Sequence, residues 1–206
     1  MVMHFKRVMI SGEAIVVSFD MCSSTDMFED LVLRGNTSHY RDLVAKDLKH
    51  HLAAAQSSVL FDPYKFTGDG WILLFPSDTS GAALLEFLKG LCQFYRQIFK
   101  TRLRPHLGSL PKLVGLTFGL EKGRIEKMTI FQQHEYVGRA ITVACRLQSA
   151  VKSTTKNPVD KALVSGSLFE DYFRSIGVRA GSKTVPLRNI RDGRAFRSKL
   201  INLAVK

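Results

Sequence analysis

Followed for the recurrence of apolar residues, the chain divides into short elements of two periods. Glu13–Asp20 is a β-branched apolar run closed by a carboxylate, the pattern of a buried strand. From Ser24 the spacing becomes helical. Ser24 and Thr25 stand as caps before Met27, Phe28, Leu31 and Val32. A second helix is predicted from Thr37 to Ala55 through Tyr40, Leu43, Val44, Leu48 and Leu52. Ser57–Phe66 and Trp71–Phe75 read as strands joined by Thr67-Gly68-Asp69-Gly70, a hairpin signal. Thr79–Lys100 carries a strong helical stripe, and a basic loop follows over Arg102–Pro111. Leu113–Leu120 alternates as a strand, with Lys127–Phe131 as its expected partner. Val137–Val151 predicts a helix, Ala162–Ser165 a strand and Ser167–Phe173 a short helix. Lys183–Ile190 and Leu200–Val205 would form a closing hairpin.

Strands interleaved with crossover helices predict an α+β sandwich, a mixed sheet with helices on one face. At 206 residues, one domain over 1–206 is expected.

Composition narrows the classes. A hydrophobic fraction of 45% supports a core and argues against disorder. No segment approaches the ~20 apolar residues of a membrane span. The stretch Met1–Ile10 has no signal-peptide core. Cys22, Cys92 and Cys145 lack zinc-type or paired spacing. A cytoplasmic protein with no membrane partner is expected. The net charge of +12 leaves nucleic acid, a polyphosphate substrate and simple solubility open. The basic residues are scattered and carry no RRM, KH or zinc-finger signature, so no nucleic-acid partner is expected.

Asp20 and Asp69 are the most informative polar pair. Each ends or follows a predicted strand and adjoins small or turn-forming residues: Cys22-Ser23-Ser24-Thr25 after the first, Gly68 and Gly70 around the second. Carboxylates at neighbouring strand tips suit hard divalent cations, and a Ser-rich turn into a helix suits phosphate. Read as residues alone, a helix-capping Asp and a tight-turn Asp remain an alternative.

Three segments carry a resemblance. Phe19-Asp20-Met21-x-x-Ser24-Thr25, Lys65-x-x-Gly68-Asp69-Gly70 and Glu135-Tyr136-Val137-Gly138-x-x-x-Thr142-x-Ala144-x-Arg146 resemble, in order, the conserved motifs of class III adenylyl and guanylyl cyclases. The resemblance spans about 13–151, with 152–206 as a C-terminal extension. It implies a ferredoxin-like α/β sandwich that closes a nucleoside triphosphate into its 3′,5′-cyclic monophosphate. It implies two Mg²⁺ or Mn²⁺ ions on Asp20, Asp69 and the backbone carbonyl of Met21. Ser23, Ser24 and Thr25 would take phosphate, Thr142 the ribose and Arg146 the transition-state charge. It also implies a homodimer, with metal ligands from one protomer and the arginine from the other.

Base selection is where this sequence departs from the family's pattern. Lys65 stands where adenylyl cyclases have Lys, but Glu135 replaces Asp or Thr, and Thr142 replaces Asn. A longer acid fits a smaller base, and the compact chain resembles the pyrimidine cyclases of bacterial anti-phage (Pycsar) systems. UTP, or CTP, is the expected substrate. Strand alternation would point Lys65 and Thr67 one way and Tyr64 the other. An adenylate cyclase, an inactive nucleotide-binding module and, on charge alone, an RNA-binding domain are the other readings.

Overall fold

A computed structural model describes residue 10, residues 12–191 and residues 193–204. The N-terminal stretch through residue 9 and the last residue of the expected closing hairpin, Val205, lie outside them.

The strands are β1 (Gly12–Met21), β2 (Asp62–Phe66), β3 (Gly70–Pro76), β4 (Leu116–Ile130), β5 (Gln133–Val137), β6 (Lys161–Ser165), β7 (Ala180–Val185) and β8 (Phe196–Asn202). Seven of them form a sheet in the order β2-β3-β1-β4-β6-β8-β7, and β5 pairs with the far half of β4. Pairing is antiparallel except between β4 and β6, which are joined by a crossover helix. The helices are α1 (Ser24–Leu33), α2 (Thr37–Asp42), α3 (Lys49–Ala55), α4 (Gly81–Ile98), α5 (Arg139–Thr154) and α6 (Gly166–Tyr172). A π-helical stretch, Leu43–Leu48, bridges α2 and α3, so the expected second helix is one helical run of changing pitch.

The mixed α+β sandwich expected from the element order is the architecture observed. One detail differs: helices cover both faces, not one. β1 lies between β3 and β4 and is buried on both sides, which explains its unbroken apolar run. Its odd positions, Ile15, Val17, Phe19 and Met21, join Leu73, Phe75, Phe118 and Leu120 beneath the leucines of α4. Its even positions, Ala14 and Val16, meet Ala140 and Ala144 of α5 on the other side. Small residues let α5 approach closely. A Cβ on Gly119 would stand 2.0 Å from the Ala144 carbonyl oxygen, so Gly119→Ala would force α5 off the sheet.

Two further expectations shift. β4 does not stop at Leu120 and turn back at Lys127; it runs fifteen residues, and its partner is β5. Glu121, Lys122 and Arg124 still pair with β1, and from Glu126 the strand continues as a two-stranded ribbon with β5. The closing hairpin pairs Ala180–Val185 with Phe196–Asn202, a few residues earlier than expected.

Candidate active site

Asp20 is the penultimate residue of β1 and is flanked by Gly70 on β3 and Thr117 on β4. The β2–β3 turn closes with a Thr67 N–H to Gly70 carbonyl bond of 3.0 Å, and Gly68 takes φ +105° within it. Gly70 has no room for a side chain, because a Cβ there would stand 1.8 Å from the Phe19 carbonyl oxygen. This close approach sets Asp69 beside Asp20. The consequence is electrostatic: burial first, then the hydrogen bond and like charge of Asp69, push the Asp20 carboxyl up to about 7. Lys152, at the end of α5, opposes this with its amine 3.6 Å from Asp20 Oδ2.

The turn after β1 leads straight into α1. Ser23 adopts the left-handed conformation (φ 53°), and the Ser24 hydroxyl donates to Asp69 Oδ2. Ser24 is therefore buried against the second carboxylate, while Thr25 is exposed on the first turn of α1. Tyr40 of α2 lies against the same group. Burial, followed by the charges of Asp69 and Asp20, raises its phenol to about 12, and it is hydrogen-bonded to Ser24. It also lines a cavity of about 520 Å³ with Val44, Phe66, Gly68 and Trp71. A wider groove of about 680 Å³, at the β7–β8 edge, holds none of the motif residues.

Lys65 and Glu135 come together, with Lys65 Nζ 3.2 Å from Glu135 Oε2. Tyr64, which alternation would turn away, joins them: its hydroxyl donates to the same oxygen at 2.5 Å. A register shift between Asp62 and Lys65 breaks the alternation, so consecutive side chains reach one carboxylate. The Tyr64 hydroxyl also accepts from the Tyr136 N–H at 3.1 Å, and its ring stands edge-on to Tyr136. The hydrogen bonds from Tyr64 and Lys65 hold the Glu135 carboxyl below its usual range. Burial and Glu135 push the Tyr64 phenol up to about 12.

Thr142 and Arg146, one helical turn apart, are both exposed on α5, away from its buried stripe of Ala140, Val143, Ala144 and Leu147. The structure does not bring them to the aspartates of the same chain. Lys152 is the α5 residue that reaches Asp20, and Arg146 lies six residues, about 9 Å of helix, before it. Nearby, the β4–β5 ribbon exposes Met128, Ile130, Val137 and Phe131, the last at 96%.

Sequence reasoning missed Lys152 and Tyr40 and misdirected Tyr64. A lone lysine in the last turn of a helix and a helical tyrosine carry no local signal. They become visible only when α5 and α2 are packed against the end of β1.

Among the described residues no three His, Cys, Asp or Glu side chains converge as a metal cluster. The donor set here is smaller: two carboxylates, with the main chain at Met21. It still fits a divalent ion, since two carboxylates pressed together raise a pKa that a cation would lower. No helix among the described residues is long and apolar enough to cross a membrane.

No known family's sequence profile matches the chain, and no curated protein sequence does. Solved structures do. The adenylyl cyclase CyaB from P. aeruginosa superposes with a TM-score of 0.68 at 14% identity, covering 95% of each chain. A bacterial light-regulated adenylyl cyclase gives 0.64 at 18% identity, over 94% of this chain and 52% of that one. The guanylyl cyclase Cya2 gives 0.59 at 18% identity, over 95% of this chain and all of that one. The chain therefore has the fold of class III cyclase catalytic domains.

Proposed function

We propose that this protein is a metal-dependent nucleotidyl cyclase that converts a pyrimidine nucleoside triphosphate, UTP first, into its 3′,5′-cyclic monophosphate and pyrophosphate. The observation that carries the reaction type is the Asp20–Asp69 pair, two adjoining carboxylates of which one is pushed up to about 7 by burial first and by its neighbour second. It lies beside a serine turn, in a fold shared with adenylyl and guanylyl cyclases.

Asp20, Asp69 and the Met21 carbonyl would hold the divalent ions. When bound, those ions supply Lewis-acid activation of the ribose 3′-hydroxyl and neutralise charge on the triphosphate. The Ser23-Ser24-Thr25 turn offers the N-terminal N–H groups of α1 to phosphate oxygens. The 3′-oxygen bonds to the α-phosphorus as its proton goes to water, and the bond to pyrophosphate breaks. Charge grows on the α-phosphoryl oxygens, where Arg146 would offset it. Because Arg146 lies away from its own chain's aspartates, a second copy must supply it. That calls for a head-to-tail dimer with two equivalent sites. Thr142, on the same face, would hold the ribose. The exposed apolar side chains of the β4–β5 ribbon suit burial in such a contact.

Base choice rests on Tyr64, Lys65 and Glu135. Tyr64 and Lys65 occupy one carboxylate oxygen, Oε2, which leaves Oε1 to accept from a base and Lys65 to donate to one. That donor–acceptor pair fits the edge of uracil, and equally those of cytosine and adenine. Size is what separates them. The Tyr64 ring is fixed at its hydroxyl by Glu135 and the Tyr136 backbone, and its bulk would crowd a purine's second ring. On the resemblance to Pycsar cyclases, the product would be an anti-phage alarm signal.

The shared site is tested by mixing. Asp69→Ala and Arg146→Ala proteins should each be inactive while folded. Mixed and allowed to exchange, they should regain about a quarter of wild-type activity, because half the dimers are mixed and each has one intact site. No activity in the mixture, with subunit exchange verified, would contradict the dimeric site.

A further inference from the structure

Behind the proposed site lies a buried carboxylate the reaction does not use. Asp160 is 0% exposed, sits in the left-handed region at φ 51°, and ends the turn before β6. Burying a carboxylate is costly, and a left-handed non-glycine adds strain. An asparagine or glycine would make the same turn more cheaply, so the charge itself calls for an explanation.

Its contacts lead in one direction. Asp160 Oδ1 accepts the Leu116 N–H at 3.0 Å, and the Asp160 carbonyl accepts the Leu203 N–H at 2.8 Å. The other carboxylate oxygen is ion-paired with Arg96, near the end of α4, and Cys92, one turn earlier on that helix, meets the Asp160 side chain. Gly115 is a glycine for the same reason. A Cβ there would stand 2.7 Å from Asp160 Oδ1 and 2.5 Å from a Val159 methyl. Gly115 and Leu116 are in turn what the residues after Asp20 lean on: Cys22 N–H donates to the Gly115 carbonyl at 2.9 Å, and Leu116 is registered opposite Met21.

We infer that Asp160 and Arg96 are positioning residues for the Met21–Cys22 turn, acting through Gly115–Leu116, and that they thereby set the affinity of the site for divalent ions. The second half rests on the cyclase reading; the first does not. The ion pair spans α4 and the β4 and β6 ends, so it fixes the strand end against the helical layer rather than against its neighbours alone.

The test uses the full-length protein with Asp160→Asn, which keeps an acceptor for Leu116 but removes the charge, and Arg96→Met. Two readouts are followed: Mn²⁺ affinity by electron paramagnetic resonance, and hydrogen exchange at the Cys22 and Leu116 amides. Both variants should bind Mn²⁺ about tenfold more weakly, the scale expected for groups that orient metal ligands. The Cys22 amide should exchange faster while the α4 core stays protected. The double variant should add little to either single one, since both remove one interaction. If Asp160→Asn does not fold, Gly115→Ala, which displaces the same carboxylate, should give the same two changes. Unchanged exchange at Cys22 in folded variants would overturn the inference. Faster exchange with unchanged Mn²⁺ affinity would overturn its second half. A wild-type protein that binds no Mn²⁺ would count against the cyclase reading, and the exchange data would still decide the positioning role.

Discussion

Replacing Asp69 by Asn should stabilise the protein without metal while removing its response to metal. In the folded state the Asp20 carboxyl is raised from an ordinary 3.8 to about 7, by burial first and by Asp69 second. A folded-state pKa above the unfolded one means stability falls as pH rises from about 4 to about 7, then levels off. At about 1.4 kcal/mol per pKa unit, the whole rise corresponds to an upper bound of about 4 kcal/mol. Burial is the larger cause, and Asp20 is partly open to screening water, so the share relieved by removing the Asp69 charge is about 1 kcal/mol. Losing the charge-assisted bond from Ser24 takes back a fraction of it. For a chain of this size the net gain is about 2 °C in Tm at pH 8, shrinking towards zero near pH 4. Thermal unfolding in chelator across that range measures it. In Mn²⁺ the wild type should gain several degrees and Asp69→Asn almost none. A lower Tm for Asp69→Asn at pH 8, with no pH trend, would show that the two carboxylates do not repel.

Four further substitutions test the same geometry. Lys152→Met removes the charge that holds the Asp20 carboxyl down, so Mn²⁺ binding should weaken near neutral pH and its midpoint should move to higher pH, as titration at pH 6–9 would show. Tyr64→Ala should raise turnover of ATP relative to UTP by about tenfold or more, a size expected when a pocket gains room for a larger group. Tyr64→Phe should keep the size limit but free Glu135, so discrimination between uracil and cytosine should change more than that against adenine. A Phe131→Glu change, at an exposed apolar tip, should leave Tm within about 1 °C but shift the protein to monomer in sedimentation, with loss of activity.

Much of the fold was legible because β1 and α4 carry strong periods. The β1 run Ala14–Phe19 reads as a buried strand, as observed, and its closing carboxylate pointed to the candidate site before any packing was known. What was hidden depended on interruptions of period. Glu121, Lys122 and Arg124 looked like the end of a strand because charges interrupt the apolar alternation, yet they still pair with β1, and Glu121 is buried there. Tyr64 was misdirected because a register shift after Asp62 cannot be seen in residue types. The second helical layer was missed because α5 packs through alanines and Gly119, a small-residue stripe with little hydrophobic contrast. Asp160 follows Asn157-Pro158-Val159 and reads as an ordinary turn aspartate; only its burial and its bond to Leu116 distinguish it.

The most direct measurement offers the purified protein each of the four nucleoside triphosphates with Mn²⁺ and identifies the products by mass spectrometry. Cyclic UMP with release of pyrophosphate is expected, cyclic CMP as the next product, and none of either from Asp69→Ala. Cyclic AMP as the main product would contradict the size limit assigned to Tyr64. No cyclic nucleotide from any of the four would contradict the reaction itself.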